Sequence, residues 1–100
     1  MTTYKVIASS NAASDIAECL RFVKNVSLEA AISLQQEFTK ALDRLTTFPE
    51  ANPLFNKDNM SLGALHKMIV AKHYIILYII EKDTVVIHRV LDLRRKYGSI

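Results

Sequence analysis

Near the C-terminal end, four cations and one ring fall within nine residues: Arg89, Arg94, Arg95, Lys96 and Tyr97. Guanidinium groups beside an aromatic ring can grip phosphates, stack on bases or hold an acidic protein segment. The cluster is expected to be exposed, and an exposed terminal charge run by itself serves solubility. Other candidates for chemistry are sparser. His66, His73 and His88 have no Cys, Asp, Glu or second His at a metal-binding spacing, so no metal and no cofactor is expected. His66 and His88 could exchange protons only if strands brought them together. Cys19 reads as a small half-buried thiol beside a helix's apolar face. Gly63 and Gly98 are the only glycines, which leaves no phosphate-cradling loop. Asp15 and Glu18 read as a solvated carboxylate pair on the outer face of a helix.

These side chains need a scaffold, and the apolar pattern supplies one. Tyr4 to Ala8 is a short β-rich segment ending at Ser9, Ser10 and Asn11. Ser10 or Asn11 is expected to cap a helix whose apolar face is Ala13, Ile16, Ala17, Leu20 and Val23, and which ends near Asn25. Ser27 caps a second helix, with Glu29 in its first turn. Its stripe of Ala31, Leu34, Phe38, Ala41, Leu42, Leu45 and Phe48 runs to a stop at Pro49. A link this short makes the two helices an antiparallel hairpin. The stretch from Pro49 to Leu62, which holds both prolines, reads as a loop and the mobile part of the chain. Three β-rich runs follow: His66 to Val70, His73 to Ile80 and Thr84 to Leu91, the last two joined by a polar turn at Glu81, Lys82 and Asp83. The middle run is apolar on both pleat faces and belongs inside the sheet. The expected fold is a single α+β domain over residues 1–100: a helical hairpin on a small, mainly antiparallel sheet, in the order β-α-α-β-β-β.

Length and composition agree. One hundred residues, half of them apolar, can build one core without disulfides. The longest apolar run, Tyr74 to Ile80, is far short of the roughly 20 residues that span a bilayer, and the N-terminal Val6, Ile7 and Ala8 are too few for a secretory signal. A cytoplasmic protein with no membrane partner is expected. The net charge of +3 arises wholly in the second half, where eight Lys and Arg face four Asp and Glu, against five and six in the first. Such asymmetry suits an anionic partner.

The phrases Tyr4-Lys5-Val6-Ile7, Asp15-Ile16, Phe48-Pro49-Glu50, Tyr74-Ile75-Ile76-Leu77-Tyr78, Arg89-Val90-Leu91 and Arg94-Arg95-Lys96-Tyr97 occur in an order and at distances that resemble the RelE/ParE superfamily of bacterial toxins. The resemblance covers nearly the whole chain. It implies a small cytoplasmic toxin of a type II toxin-antitoxin, or plasmid stabilisation, system, neutralised by a cognate antitoxin protein. Such a chain is expected to form a homodimer when its antitoxin is absent. The superfamily has two main activities: RelE-type members cleave messenger RNA in the ribosome, and ParE-type members bind and poison DNA gyrase.

RNA cleavage needs a proton acceptor, cations for the pentacoordinate phosphate and a proton donor. RelE-type enzymes carry lysines at the positions that resemble His66 and Met68, an arginine at that of Ile75 and a tyrosine further along the tail than Ile100. Arg95 alone matches, so a metal-independent ribonuclease would have to draw on His66, Lys67, Arg95 and Tyr97. The stretch Arg89 to Tyr97 resembles instead the strand-end motif of ParE-like members, with Asp92 and Leu93 in place of a polar-glycine pair and Lys96 in place of an acidic residue. On that reading Arg89, Arg94, Arg95, Lys96 and Tyr97 form a target-binding surface, with DNA gyrase as target and no catalytic step. A ribosome-dependent endoribonuclease and a non-toxic basic binding domain are the alternatives.

Overall fold

In the computed structural model, which describes residues 3–55 and 64–95, the chain runs through β1 (Lys5–Ala8), α1 (Ser10–Lys24), α2 (Leu28–Leu45), a three-residue 3₁₀ turn (Pro49–Ala51), β2 (His66–Val70), β3 (Tyr74–Glu81) and β4 (Thr84–Asp92). The cap of α1 lies one residue earlier than expected. Ser9, not Ser10 or Asn11, has the extended backbone, and its Oγ accepts from the Ala12 amide at 3.0 Å. Ser27 caps α2 as expected, accepting from the Ala30 amide. That helix stops at Leu45, short of Pro49. Thr46 turns its hydroxyl onto the Asp43 carbonyl, and Phe48, which precedes proline, leaves the helical region. Phe48, expected in the buried stripe, is consequently 64% exposed.

The sheet order is β1-β4-β3-β2, with β1 parallel to β4 and the other pairs antiparallel. This is the expected α+β order of elements, with two helices on a four-stranded mixed sheet. The helices cover one sheet face: Leu34, Phe38, Ala41 and Leu45 of α2 and Ala12 and Cys19 of α1 pack on Met68, Tyr74, Ile76, Tyr78, Val85, Ile87 and Val90. On the other face Leu65, Ile75, Leu77 and Leu91 form a second buried cluster. β3 is therefore buried on both sides, as its unbroken apolar run requires.

Three departures matter for the site. In α1 the inward residues are Ala12, Cys19 and, partly, Ile16, Leu20 and Val23, while Ala13 and Ala17 face out. The same rotation turns Asp15 inward. On β4, Leu77 of β3 pairs with Arg89 and Tyr78 with Ile87, so His88 is an extra, bulged residue. Finally, residues 49–55 are anchored: Leu54 bridges to His66, and the Phe55 and Lys67 amides donate to the Leu65 and Pro53 carbonyls. The remainder of the expected loop, to Leu62, lies outside the described residues.

Candidate functional site: the exit of β4

β1 is only four residues long, so it leaves the second half of β4 without a strand neighbour on that side. Exposed amides and carbonyls there would be an open edge. Side chains of the Ser9–α1 segment close it. Ser9 donates its amide to the Ile87 carbonyl and its Oγ to the His88 carbonyl, both at 2.9 Å. The next amide in need, Val90 N–H, donates to Asp15 Oδ2 at 2.9 Å. Asp15 also takes Arg89 as a fork, from Nε at 2.7 Å and Nη2 at 3.0 Å. The carboxylate read from the sequence as solvated is thus a partly buried brace between α1 and β4. A helix rotated to bury Ala12 and Cys19 must carry Asp15 inward with them.

Two residues beyond β4 the chain is clasped again. Asp92 is 5% exposed, and it accepts from Arg94 three times: from the amide at 2.9 Å, Nε at 3.0 Å and Nη2 at 3.0 Å. Arg94 Nη2 also donates to the Tyr74 hydroxyl, with the guanidinium 5.4 Å from that ring's centroid. Tyr74 in turn stands edge-on to Phe38 of α2. Burial pushes the Asp92 carboxyl up, but the hydrogen bonds and charge of Arg94 outweigh it and hold the pKa below the ordinary value. Arg94 is raised in return, first by its bond to Asp92.

Arg95 donates from Nη1 to Glu18 Oε1 of α1 at 3.0 Å, with both side chains about half exposed. Below these pairs lies Cys19, whose thiol is pushed up to about 11, first by burial and then by the carboxylates of Asp92, Asp15 and Glu18. Arg89, Arg94 and Arg95 are therefore brought to one end of the molecule, and each is held by a carboxylate of the chain itself. Lys96 and Tyr97, the other two residues of the predicted surface, lie outside the described residues.

Residues 6–97 match the model of a family described as ParE toxin of type II toxin-antitoxin system, parDE. The chain belongs to the ParE toxin family. No curated protein matches the sequence. Among solved structures, a chain of the chromosomal ParDE TA system from P. aeruginosa is similar with a TM-score of 0.71, over 91% of this chain and 97% of that one. At 11% identity that likeness is one of fold.

In this ParE-family chain three of the groups named for a ribonuclease, His66, Lys67 and Arg95, stand apart, and Tyr97 lies outside the described residues. His66 lies on the helix-facing side of β2, stacked on Tyr78 at 5.2 Å between centroids, with Nδ1 2.8 Å from the Asn52 carbonyl. Tyr78 is fully buried and donates to the Pro49 carbonyl at 2.6 Å while accepting from the Asn52 amide. His66 and Tyr78 thereby tie the 49–52 turn to the sheet. Lys67 alternates to the opposite face, and Arg95 sits against α1, beyond the end of β4. His73 and His88 are exposed at the β2–β3 turn and at the bulge. Among the described residues no three of His, Cys, Asp and Glu converge as metal ligands. No helix of the described residues is long and apolar enough to cross a membrane.

Sequence reasoning missed Asp15, Glu18 and Tyr74 as partners of the arginines. For Asp15 a signal was present: it stands three residues after Ala12 and four before Cys19, so it is the one acidic residue on that helix's inward stripe.

Proposed function

We propose that this ParE-family chain is a toxin that acts by binding, and that its target is DNA gyrase, which it poisons through the β4 exit. The observation that carries this reading is the convergence of Arg89, Arg94 and Arg95 at one end of β4, where their carboxylate partners fix the guanidinium planes instead of leaving them to wander. Pre-set cations lose little conformational freedom on meeting an anionic surface. Further support comes from Met68 and Ile75. They occupy positions where RelE-type enzymes carry cations, and they are packed into the two cores. Neither can stabilise a phosphorane.

The partner in the resting state is a cognate antitoxin, whose acidic or amphipathic segment covers the hairpin and the basic exit. Without it, the chain self-associates as a homodimer through the same surface. The deciding experiment is induction of the chain alone, followed by mapping of the first damage. Gyrase-linked DNA breaks with intact messages are expected. Codon-phased cuts in translated messages would reverse the assignment in favour of an endoribonuclease, and an absence of growth arrest would leave a non-toxic binding domain.

A further inference from the structure

Among the described residues, one stripe of α1 is tied to the rest of the fold by the Glu18–Arg95 bond and is otherwise turned to solvent. The inward stripe of the helix runs through Ala12, Asp15, Cys19 and Val23; beside it, successive turns present Glu18, Arg21, Phe22 and Asn25 to solvent. Together with Arg95 these residues line an open cleft of about 320 Å³. Phe22 is 63% exposed, a large ring on a helix that has another face for its apolar contacts.

We propose that this cleft binds one nucleotide of a single-stranded nucleic acid, with the base on Phe22 and the backbone phosphates between Arg21 and Arg95. The Glu18 bond holds the Arg95 guanidinium over the stripe, and Arg21 and Lys24 add two cations in the helix's last turn. Of the charged residues that line the cleft, one is a carboxylate and two are guanidinium groups. An aromatic face flanked by guanidinium groups is how proteins hold unpaired bases without reading duplex grooves. The Asn25 amide on the same rim offers both a donor and an acceptor to a base edge. Size selects among occupants. The cleft is at the lower end of the roughly 300–1,000 Å³ of small-ligand sites, whereas a partner helix is about 10–12 Å across.

The site extends the gyrase reading, since a poison that holds a cleaved complex would lie beside unpaired DNA, but it makes its own demand on the isolated chain. Fluorescence anisotropy of the purified protein with a short labelled oligothymidylate, and separately with an oligouridylate, tests it without any topoisomerase. Binding at low salt is expected, with a salt slope of about −1.4 for two phosphates. Phe22→Ala should weaken it by roughly tenfold, and Arg21→Ala should halve the slope, with unchanged circular dichroism. Preference for the DNA strand agrees with a DNA-bound target; preference for RNA keeps the site and counts against gyrase. Equal affinity of wild type and Phe22→Ala, or binding of an acidic peptide but of neither oligonucleotide, would overturn the proposal.

Discussion

Asp92 and Arg94 form a closed clasp around the chain's own exit from the sheet: a buried carboxylate at the end of β4 receives the amide, Nε and Nη2 of a residue two positions later. An arginine read from the sequence as exposed contact surface therefore carries a structural duty. Its truncation takes the Nε and Nη2 bonds from a carboxylate that is 5% exposed and leaves it the backbone amide.

Arg94→Ala should destabilise the domain by about 1–3 kcal/mol, discounted from a fully buried pair because the arginine itself is half exposed. The pH dependence follows from the lowered pKa of Asp92. A carboxyl held below its unfolded value of 3.8 stabilises the fold above that pH and loses the contribution as pH falls through its folded value. Urea unfolding should show the largest deficit of the variant at neutral pH, shrinking below pH 3.8 as Asp92 protonates. A deficit constant across that range would mean that the clasp is not electrostatic.

Asp15 makes a separable claim about the sheet edge. Asp15→Ala removes the acceptor of the Val90 amide and both bonds to Arg89, and should cost about 1–3 kcal/mol. Asp15→Asn retains one carbonyl oxygen for the amide and should cost less. Amide hydrogen exchange distinguishes bracing from general weakening: Val90 should lose protection in Asp15→Ala out of proportion to Ile76, whose strand is buried on both sides.

Cys19 should be inert in the folded state. With a thiol at about 11 it is a thiolate in about one molecule per thousand at pH 8, and it is also buried. A disulfide reagent should react at the global unfolding rate in native protein and at once in denaturant. Because the folded pKa lies above the unfolded value of 9.0, the thiol contributes stability that is complete below pH 9 and is lost as pH rises towards 11. Cys19→Ala should remove that part of the alkaline loss; Tyr74 and Tyr78, both raised first by burial, add to it.

What could be read from the chain alone, and what could not, divides along sequence separation. The cap at Ser27, the hairpin of helices and the double-faced burial of β3 depend on neighbours within a few residues or on one strand's own pattern, and the structure has them. The bulge at His88 arises only when β3 and β4 pair. The inward turn of Asp15 depends on which face of α1 meets the sheet, and its arginine lies 74 residues away; Glu18 and Arg95 are 77 apart. The arginine cluster was visible as composition, whereas the carboxylates that hold it were visible only in space. The early end of α2 was closer to hand, since Thr46, Thr47 and a residue before proline all disfavour helix.

The β2–β3 turn offers a stabilising change. Ala71 and Lys72 both have positive φ, 50° and 68°, a region that costs residues with a Cβ about 1–2 kcal/mol each. Lys72→Gly removes that cost and gives back part of it through the freer unfolded chain. A net gain of roughly 0.5–1 kcal/mol, read as a rise in Tm, is expected, whereas Gly at the helical Ala41 should lower Tm.

Function and stability part at Arg95. Its bond to Glu18 joins two half-exposed side chains, a kind of pair worth about 0–1 kcal/mol, so Arg95→Ala should unfold at nearly the wild-type urea concentration. If the β4 exit is the toxic surface, the same substitution should relieve growth arrest by removing a half-exposed cation, and Arg95→Glu should do so more completely by placing a second carboxylate beside Glu18. Arg94→Ala cannot serve as this test, because loss of toxicity there would be confounded by loss of the Asp92 clasp. Colony counts after induction, set against soluble protein level and unfolding midpoint for each variant, separate the two effects. Full killing by a folded Arg95→Glu chain would place the toxic contact elsewhere on the molecule.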